Sequence, residues 1–227
     1  MIRKYTFSSF DNLNLEEIVS YVAENYLIII VIQTIKMDVD SITKRYLQES
    51  ELKKMNKFVR NIDKINYLIT HSIVNFIFSQ ILECAVSNIR HEKAKNGKPY
   101  VENSENVKFN ISHSYGGAVV AFYKNDIGVD IEFINRKFLF KDITDISFSE
   151  REINYIKNDV KKFYKYWVAK EAYLKYDGVG LFKDIKYLEV IYCNEKNIEL
   201  LDKQKNNVFM IEIYELFGSY ILGICFY

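Results

Sequence analysis

Residues 127–134 read Ile-Gly-Val-Asp-Ile-Glu-Phe-Ile. On a strand, side chains alternate between faces, so Asp130 and Glu132 point one way while Val129, Ile131 and Phe133 point the other. Two neighbouring carboxylates repel unless a cation lies between them. A hard divalent cation such as Mg2+ takes oxygens of this kind, with water and substrate phosphate completing its shell. A solvated strand face satisfies the same alternation, and the spacing alone does not choose.

A second group lies in Lys161–Leu181, "KKFYKYWVAKEAYLKYDGVGL". At helical spacing its apolar stripe is Phe163, Tyr166, Trp167 and Leu174, and Lys170 falls inside it. An ammonium in such a stripe is expensive without an anion, so Lys170 requires one. Glu171 and Lys175 lie one turn apart on a shared side, which also fits an ordinary surface pair ahead of a glycine stop at Gly178. Upstream, "FNISHSYGG" ends a strand in Ser112-His113-Ser114 and then turns through two glycines. Hydroxyl, imidazole and backbone N–H groups in a glycine turn suit phosphate oxygens. A nucleophilic serine is less well served, because no G-x-S-x-G elbow is present, and His113 also fits as a core histidine. Lys98 sits in a rigid Gly-Lys-Pro turn, where a solvated lysine is the plain alternative. Ser149 followed by Glu152 forms a capping box, which competes with a catalytic use of Glu152.

The elements that must carry these groups are helices and strands in mixed order. Strands are expected over 26–36, 107–112, 118–124, 127–133, 186–193, 208–216 and 219–227, with helices over 43–59, 63–90, 149–158 and 160–176. The 63–90 helix rests on Ile65, Leu68, Ile69, Ile73, Phe76, Ile77 and Ile81 at helical spacing. "HEKAKNGKPYVENSEN" reads as a loop, and a tight turn near Gly218 joins the last two strands. The order is α+β. The polar turn "KNDIG" divides the chain into an N-terminal half, 1–125, and a C-terminal half, 126–227.

Composition narrows the class. The 227 residues are 49% apolar and 27% charged, which excludes a disordered or low-complexity chain. Thirty-one basic residues nearly cancel 30 acidic ones, so no nucleic-acid partner is expected. Three scattered cysteines, Cys84, Cys193 and Cys225, with no CxxC pair, fit a reducing cytoplasm better than a disulfide or zinc framework. The longest apolar run, Tyr26–Ile32, is far short of the roughly 20 residues a membrane span needs. The N-terminus lacks a signal peptide's apolar core. A cytoplasmic protein without membrane attachment is expected.

In order along the chain, "GKP" at 97–99, "NISHS" at 110–114, "GVDIE" at 128–132, "FSERE" at 148–152 and W-x-x-K-E-A-Y-x-K-x-x-G-x-G-L at 167–181 resemble the 4'-phosphopantetheinyl transferase superfamily. The two-half length resembles its Sfp-type branch, which serves carrier domains of nonribosomal peptide and polyketide synthases. The likeness is specific over 97–181, loose over 40–70 and only architectural elsewhere.

The resemblance implies two similar α+β halves related by a pseudo-twofold, with the active site in the cleft between them. It implies Mg2+ as cofactor and coenzyme A as co-substrate. The reaction moves 4'-phosphopantetheine to a serine of an apo-peptidyl or acyl carrier protein and releases adenosine 3',5'-bisphosphate. Carried onto this chain, the metal carboxylates fall on Asp130, Glu132 and Glu171. Phosphate and coenzyme A contacts fall on Lys98, Ser112, His113, Asp130, Lys170 and Lys175. Catalytic roles fall on Glu171, Glu152 and Lys175, with Glu171 favoured as the base and Glu152 balanced between proton transfer and a helix cap. A monomer serving peptidyl carriers, and so antibiotic biosynthesis, is the expectation by analogy, with the apolar segment 139–146 facing the carrier.

The departure is "DKINYLITH" at 63–71, where many members carry an arginine and a small hydroxyl residue and this chain has Asn66 and Tyr67. In their place Lys57, Arg60 or Lys64 would serve the adenine or 3'-phosphate. That segment supports one rival reading, a relative that binds coenzyme A or carrier without transfer. A metal-dependent phosphate hydrolase that needs no carrier is another.

Overall fold

"LIIIVIQ" at Leu27–Gln33 is β-branched throughout, and residues 27–32 are all buried, as a strand covered on both faces requires. It lies in the first of two units in the computed structural model, which describes residues 2–7, 14–35, 37, 44–178 and 185–227. Contacts divide the chain into Met1–Lys95 with Pro99–Ile127, and Asn96–Lys98 with Gly128–Tyr227. Both units are α+β.

The first unit contains β1 (Ile2–Phe7), α1 (Leu15–Ala23), β2 (Leu27–Gln33), α2 (Glu49–Met55), α3 (Asn61–Ile81), β3 (His91–Lys93), β4 (Pro99–Val101), β5 (Lys108–Ser114) and β6 (Gly117–Tyr123). Its sheet has the order β1-β2-β6-β5, parallel between β1 and β2 and antiparallel elsewhere. Leu68, Ile69, Ile73, Ile77 and Phe78 of α3 share a buried cluster with Ile28, Ile30, Ile32, Val120 and Phe122 of the sheet. α3 stops at Ile81, short of the expected 90: Glu83 turns left-handed (φ 48°) and the Cys84 N–H donates back to Ser79 O at 3.0 Å. The segment read as a loop holds the β3–β4 hairpin. Of the helix expected over 43–59 only α2, Glu49–Met55, is helical, and residue 43 lies outside the described residues.

The second unit contains β7 (Ile127–Phe133), α4 (Lys141–Ser147), α5 (Glu150–Ile156), α6 (Val160–Asp177), β8 (Leu188–Cys193), β9 (Asn197–Asp202), β10 (Asn207–Leu216) and β11 (Tyr220–Phe226). Its sheet has the order β7-β11-β10-β9-β8, with β8 through β11 antiparallel. α6 lies on this sheet, burying Phe163, Ala169, Ala172 and Tyr173 among Leu200, Ile211, Ile213, Ile221 and Cys225. β9, "NIELLD", has no counterpart among the expected strands. Its inward residues are Ile198, Leu200 and Asp202, and the last is a carboxylate that is buried because Tyr173 Oη donates to it at 2.6 Å. β1, α1 and α4 were also unforeseen. Among the described residues no helix is long and apolar enough to cross a membrane.

Candidate active site

The site is set by how closely α6 lies on β7. A Cβ at Gly128 would come within 2.0 Å of Ala172 O and 2.2 Å of Tyr176 N, so only glycine allows the helix backbone this near. Asp130 and Glu132 follow on the same strand face. Lys175, next to Tyr176, then reaches Asp130: its Nζ lies 2.7 Å from Oδ1, with the lysine side chain 28% and the aspartate 6% exposed.

Glu171, one turn before Lys175, is buried, and its Oε1 has no hydrogen-bond partner. Burial, the first cause, pushes its carboxyl up to about 7; Asp130 and Glu132 add to this and Lys175 opposes it. Three carboxylates thus sense one another, and Glu171 Oε1 is a buried oxygen without a hydrogen-bond partner. That donor set suits a hard divalent cation. Among the described residues, no three acidic, histidine or cysteine side chains already stand at ion-holding separation.

Lys170 and Glu152 form a separate, sealed pair. The side chains are 0% and 1% exposed, and Lys170 Nζ donates to Glu152 Oε2 at 2.9 Å and to Ser147 O at 3.0 Å. Glu152 Oε2 also accepts from Ser149 N–H at 2.8 Å, and its Oε1 accepts from Val190 N–H at 2.9 Å. Both halves of the capping box are present. Burial pulls the Lys170 ammonium below its usual value, and Glu152 opposes this. The anion that Lys170 requires is therefore Glu152, and both side chains are closed to solvent. The pair ties α6 to α5 and β8.

Lys98 stands at the C-terminal end of α6. Its Nζ donates to Tyr176 O at 3.0 Å, a favourable place for a cation at a helix C-terminus. Asn96 Nδ2 donates to Asp177 O at 3.3 Å. Gly178 ends the helix in the left-handed region (φ 76°), and a Cβ there would meet Asn96 Nδ2 at 2.1 Å. This tie was missed from sequence; Asn96, two residues before Lys98, offered no spacing signal, because its partner lies 81 residues away. Gly180 and Leu181, which complete the helix motif, lie outside the described residues.

Ser112 and His113 belong to the first unit. On β5 they face opposite ways, with Ser112 buried and His113 exposed. Asn66 is buried there, accepting from Thr34 Oγ1 at 2.5 Å and donating to Ser114 O at 3.0 Å. Tyr67 stacks on His71 with ring centroids 3.8 Å apart. Both line a cavity of about 450 Å3 together with Lys54, Arg90, His91 and Pro99. Burial, the largest cause, drives His71 down to about 3, and Lys54, His91 and His113 add to this. Arg60 is held by Asp63 at 2.7 Å.

Comparison with known proteins agrees with the motif order. Residues 126–225 match the 4'-phosphopantetheinyl transferase superfamily model, and residues 36–124 match the model of the 4'-phosphopantetheinyl transferase N-terminal domain. The 4'-phosphopantetheinyl transferase Sfp of Bacillus subtilis is 25% identical over 185 residues, 79% of this chain and 82% of its own. The 4'-phosphopantetheinyl transferase gsp of Aneurinibacillus migulanus is 28% identical over 182 residues, covering 76% and 74%. The L-aminoadipate-semialdehyde dehydrogenase-phosphopantetheinyl transferase of Candida glabrata is 32% identical over 120 residues, about half of each chain. With one model on each half and the carboxylate and lysine positions of the motif in place, the chain belongs to the 4'-phosphopantetheinyl transferase superfamily, with the two-domain architecture of the Sfp type.

Proposed function

We propose that this phosphopantetheinyl transferase acts on the peptidyl carrier domains of a nonribosomal peptide synthetase, in the cytoplasm and as a monomer, with 1–125 and 126–227 as its two working halves. The observation that supports the chemistry is the group on β7 and α6: Asp130 held by Lys175, beside Glu171 with its unsatisfied buried oxygen.

In this reading Asp130, Glu132 and Glu171 hold Mg2+, which supplies charge neutralisation for the pyrophosphate of coenzyme A. Glu171 takes the proton of the carrier serine. The serine oxygen then bonds to the phosphorus on the pantetheine side, the bond to the adenosine-bearing phosphate breaks, and adenosine 3',5'-bisphosphate leaves with that electron pair. Such a transfer depends on positioning and charge neutralisation more than on covalent participation by the protein. Lys175, Lys98, Ser112 and His113 contact phosphate oxygens. Lys170 and Glu152 position α6. The cavity lined by Lys54, Tyr67 and His71 receives the adenosine end, in place of the arginine and small hydroxyl of other members.

The carrier meets the segment at 139–146. Leu139 is 90% and Ile146 70% exposed. Phe140 stacks on Phe163 at 4.7 Å and packs, partly buried, against the core, so the exposed pair is offered as the contact surface.

Incubation with coenzyme A, Mg2+ and an apo-peptidyl carrier, followed by intact mass of the carrier, tests the reading. A gain of one phosphopantetheine, abolished by EDTA, reduced about 10²–10³-fold in Asp130→Ala and needing more carrier in Leu139→Asp, is expected. Modification of acyl carriers alone overturns the carrier assignment. Breakdown of coenzyme A without any carrier favours the hydrolase.

A further inference from the structure

A cavity of about 300 Å3 lies along the N-terminal half of α6, lined in part by Tyr155, Lys162, Lys165, Tyr166 and Cys193. Tyr166 precedes Lys175 by nine residues, roughly 13 Å along a helix axis, so the cavity is separate from the carboxylate group. Tyr166 is 5% exposed and its ring stacks on Tyr155 at 5.3 Å, yet among the described residues its hydroxyl has no hydrogen-bond partner. Burial, the largest cause, pushes the phenol up, so it stays an O–H donor. Nearly all buried hydroxyls are paired, and one left open in a cavity wall points to what enters the cavity.

Lys162 adds a charge that is also unanswered. It is half-buried, its Nζ lies 4.4 Å from the centre of the Tyr155 ring and 3.5 Å from Tyr155 O, and no carboxylate pairs with it among the described residues. The Lys165 side chain is 15% exposed, and the carboxylate it meets, Glu215 at 3.3 Å, stands in the open. Of the carboxylates in the lining, Asp159 is engaged through Oδ1 by the Lys161 and Lys162 N–H groups as the cap of α6, and Glu195 is exposed. Lysine binds phosphate as a point charge, and a cavity of this size holds a small ligand. We propose that this cavity is an anion site distinct from the site of transfer. It takes a phosphate group, free or as a small monoester, with Tyr166 Oη and the Lys162 and Lys165 ammonium groups as donors.

Cys193, half-buried in the same lining, reports occupancy. The whole protein is alkylated with iodoacetamide, a neutral reagent, and the Cys193 peptide is followed by mass against the concentration of inorganic phosphate or phenyl phosphate. Slower alkylation of Cys193, with Cys84 unchanged, is expected. Equal half-protecting concentrations assign the site to free phosphate, and a lower one for phenyl phosphate assigns it to a monoester. Tyr166→Phe keeps the ring and loses the donor, and raises the half-protecting concentration about 10-fold. Lys162→Gln raises it comparably, and replaces Tyr166→Phe if circular dichroism shows that variant unfolded. No protection by either probe, equal protection by phenol, or protection unchanged in these variants overturns the proposal. Protection abolished by Lys175→Met also overturns it, because phosphate then acts from the carboxylate group. The readout does not depend on transfer, so a protein that modifies no carrier is tested in the same way.

Discussion

Helix α6 carries two lysines five positions apart, each paired with a carboxylate, in opposite settings. Lys170 is sealed with Glu152, and every charged atom of the pair has a protein partner at 2.8–3.0 Å. Lys175 and Asp130 meet at 2.7 Å at the edge of solvent, beside a glutamate that keeps an unsatisfied oxygen. Each joins a lysine of α6 to a carboxylate, so the difference comes from what surrounds each pair. A pair sealed from solvent and held by several protein partners fixes geometry. On the proposed function, the open pair next to an unmet acceptor is where a cation and a phosphate are taken up.

Breaking the sealed pair has the largest effect on stability. Lys170→Met leaves Glu152 charged and buried, and a loss of about 3–5 kcal/mol is expected in denaturant unfolding. The double variant Lys170→Met/Glu152→Gln recovers much of it. A Lys170→Met protein as stable as the unsubstituted one removes the distinction between the two pairs. Gly128→Ala acts on the other side of the helix by forcing α6 off β7. A destabilisation of about 1–3 kcal/mol is expected from the overlap, together with a fall in transfer as Lys175 and Glu171 move away from Asp130. Denaturation midpoint and transfer rate, measured on one preparation, check both.

The smallest effect belongs to a third kind of pair on the same helix. Lys161 reaches Glu215 at 2.8 Å in the open, and Lys165, whose side chain is only 15% exposed, reaches it at 3.3 Å. The hydrogen bond from Lys161, the largest cause, holds the Glu215 carboxyl below its usual range. Its stabilising contribution is present above the ordinary carboxylate pKa and fades as pH falls through the lowered folded value. Glu215→Gln costs less than about 1 kcal/mol at neutral pH, and its stability curve merges with that of the unsubstituted protein in acid. A larger cost at neutral pH places this pair with the sealed one.

Much of the site was legible in sequence because local chemistry dictated it. Alternation placed Asp130 and Glu132 on one face, helical spacing placed Glu171 with Lys175, and Lys170 in an apolar stripe demanded an anion. The identity of that anion was not legible. Glu152 was already explained as a cap, and nothing local shows that one carboxylate serves a cap, an ammonium and the Val190 N–H together. Gly128 could be read only as part of a motif, since the need for glycine arises from a helix some 45 residues later. β9 was hidden because its inward row ends in Asp202, and only Tyr173 on α6 makes that burial tolerable. The short α4 and the β3–β4 hairpin lack the length that makes periodicity visible.

The most direct test of the central claim, that the open group is built for chemistry and the sealed pair for structure, is Glu171→Gln measured for thermal midpoint and carrier modification together. Removing a buried charge with an unmet oxygen should leave the midpoint unchanged or raise it, while transfer of phosphopantetheine falls to background. A variant that loses stability yet modifies the carrier at the full rate would contradict the account.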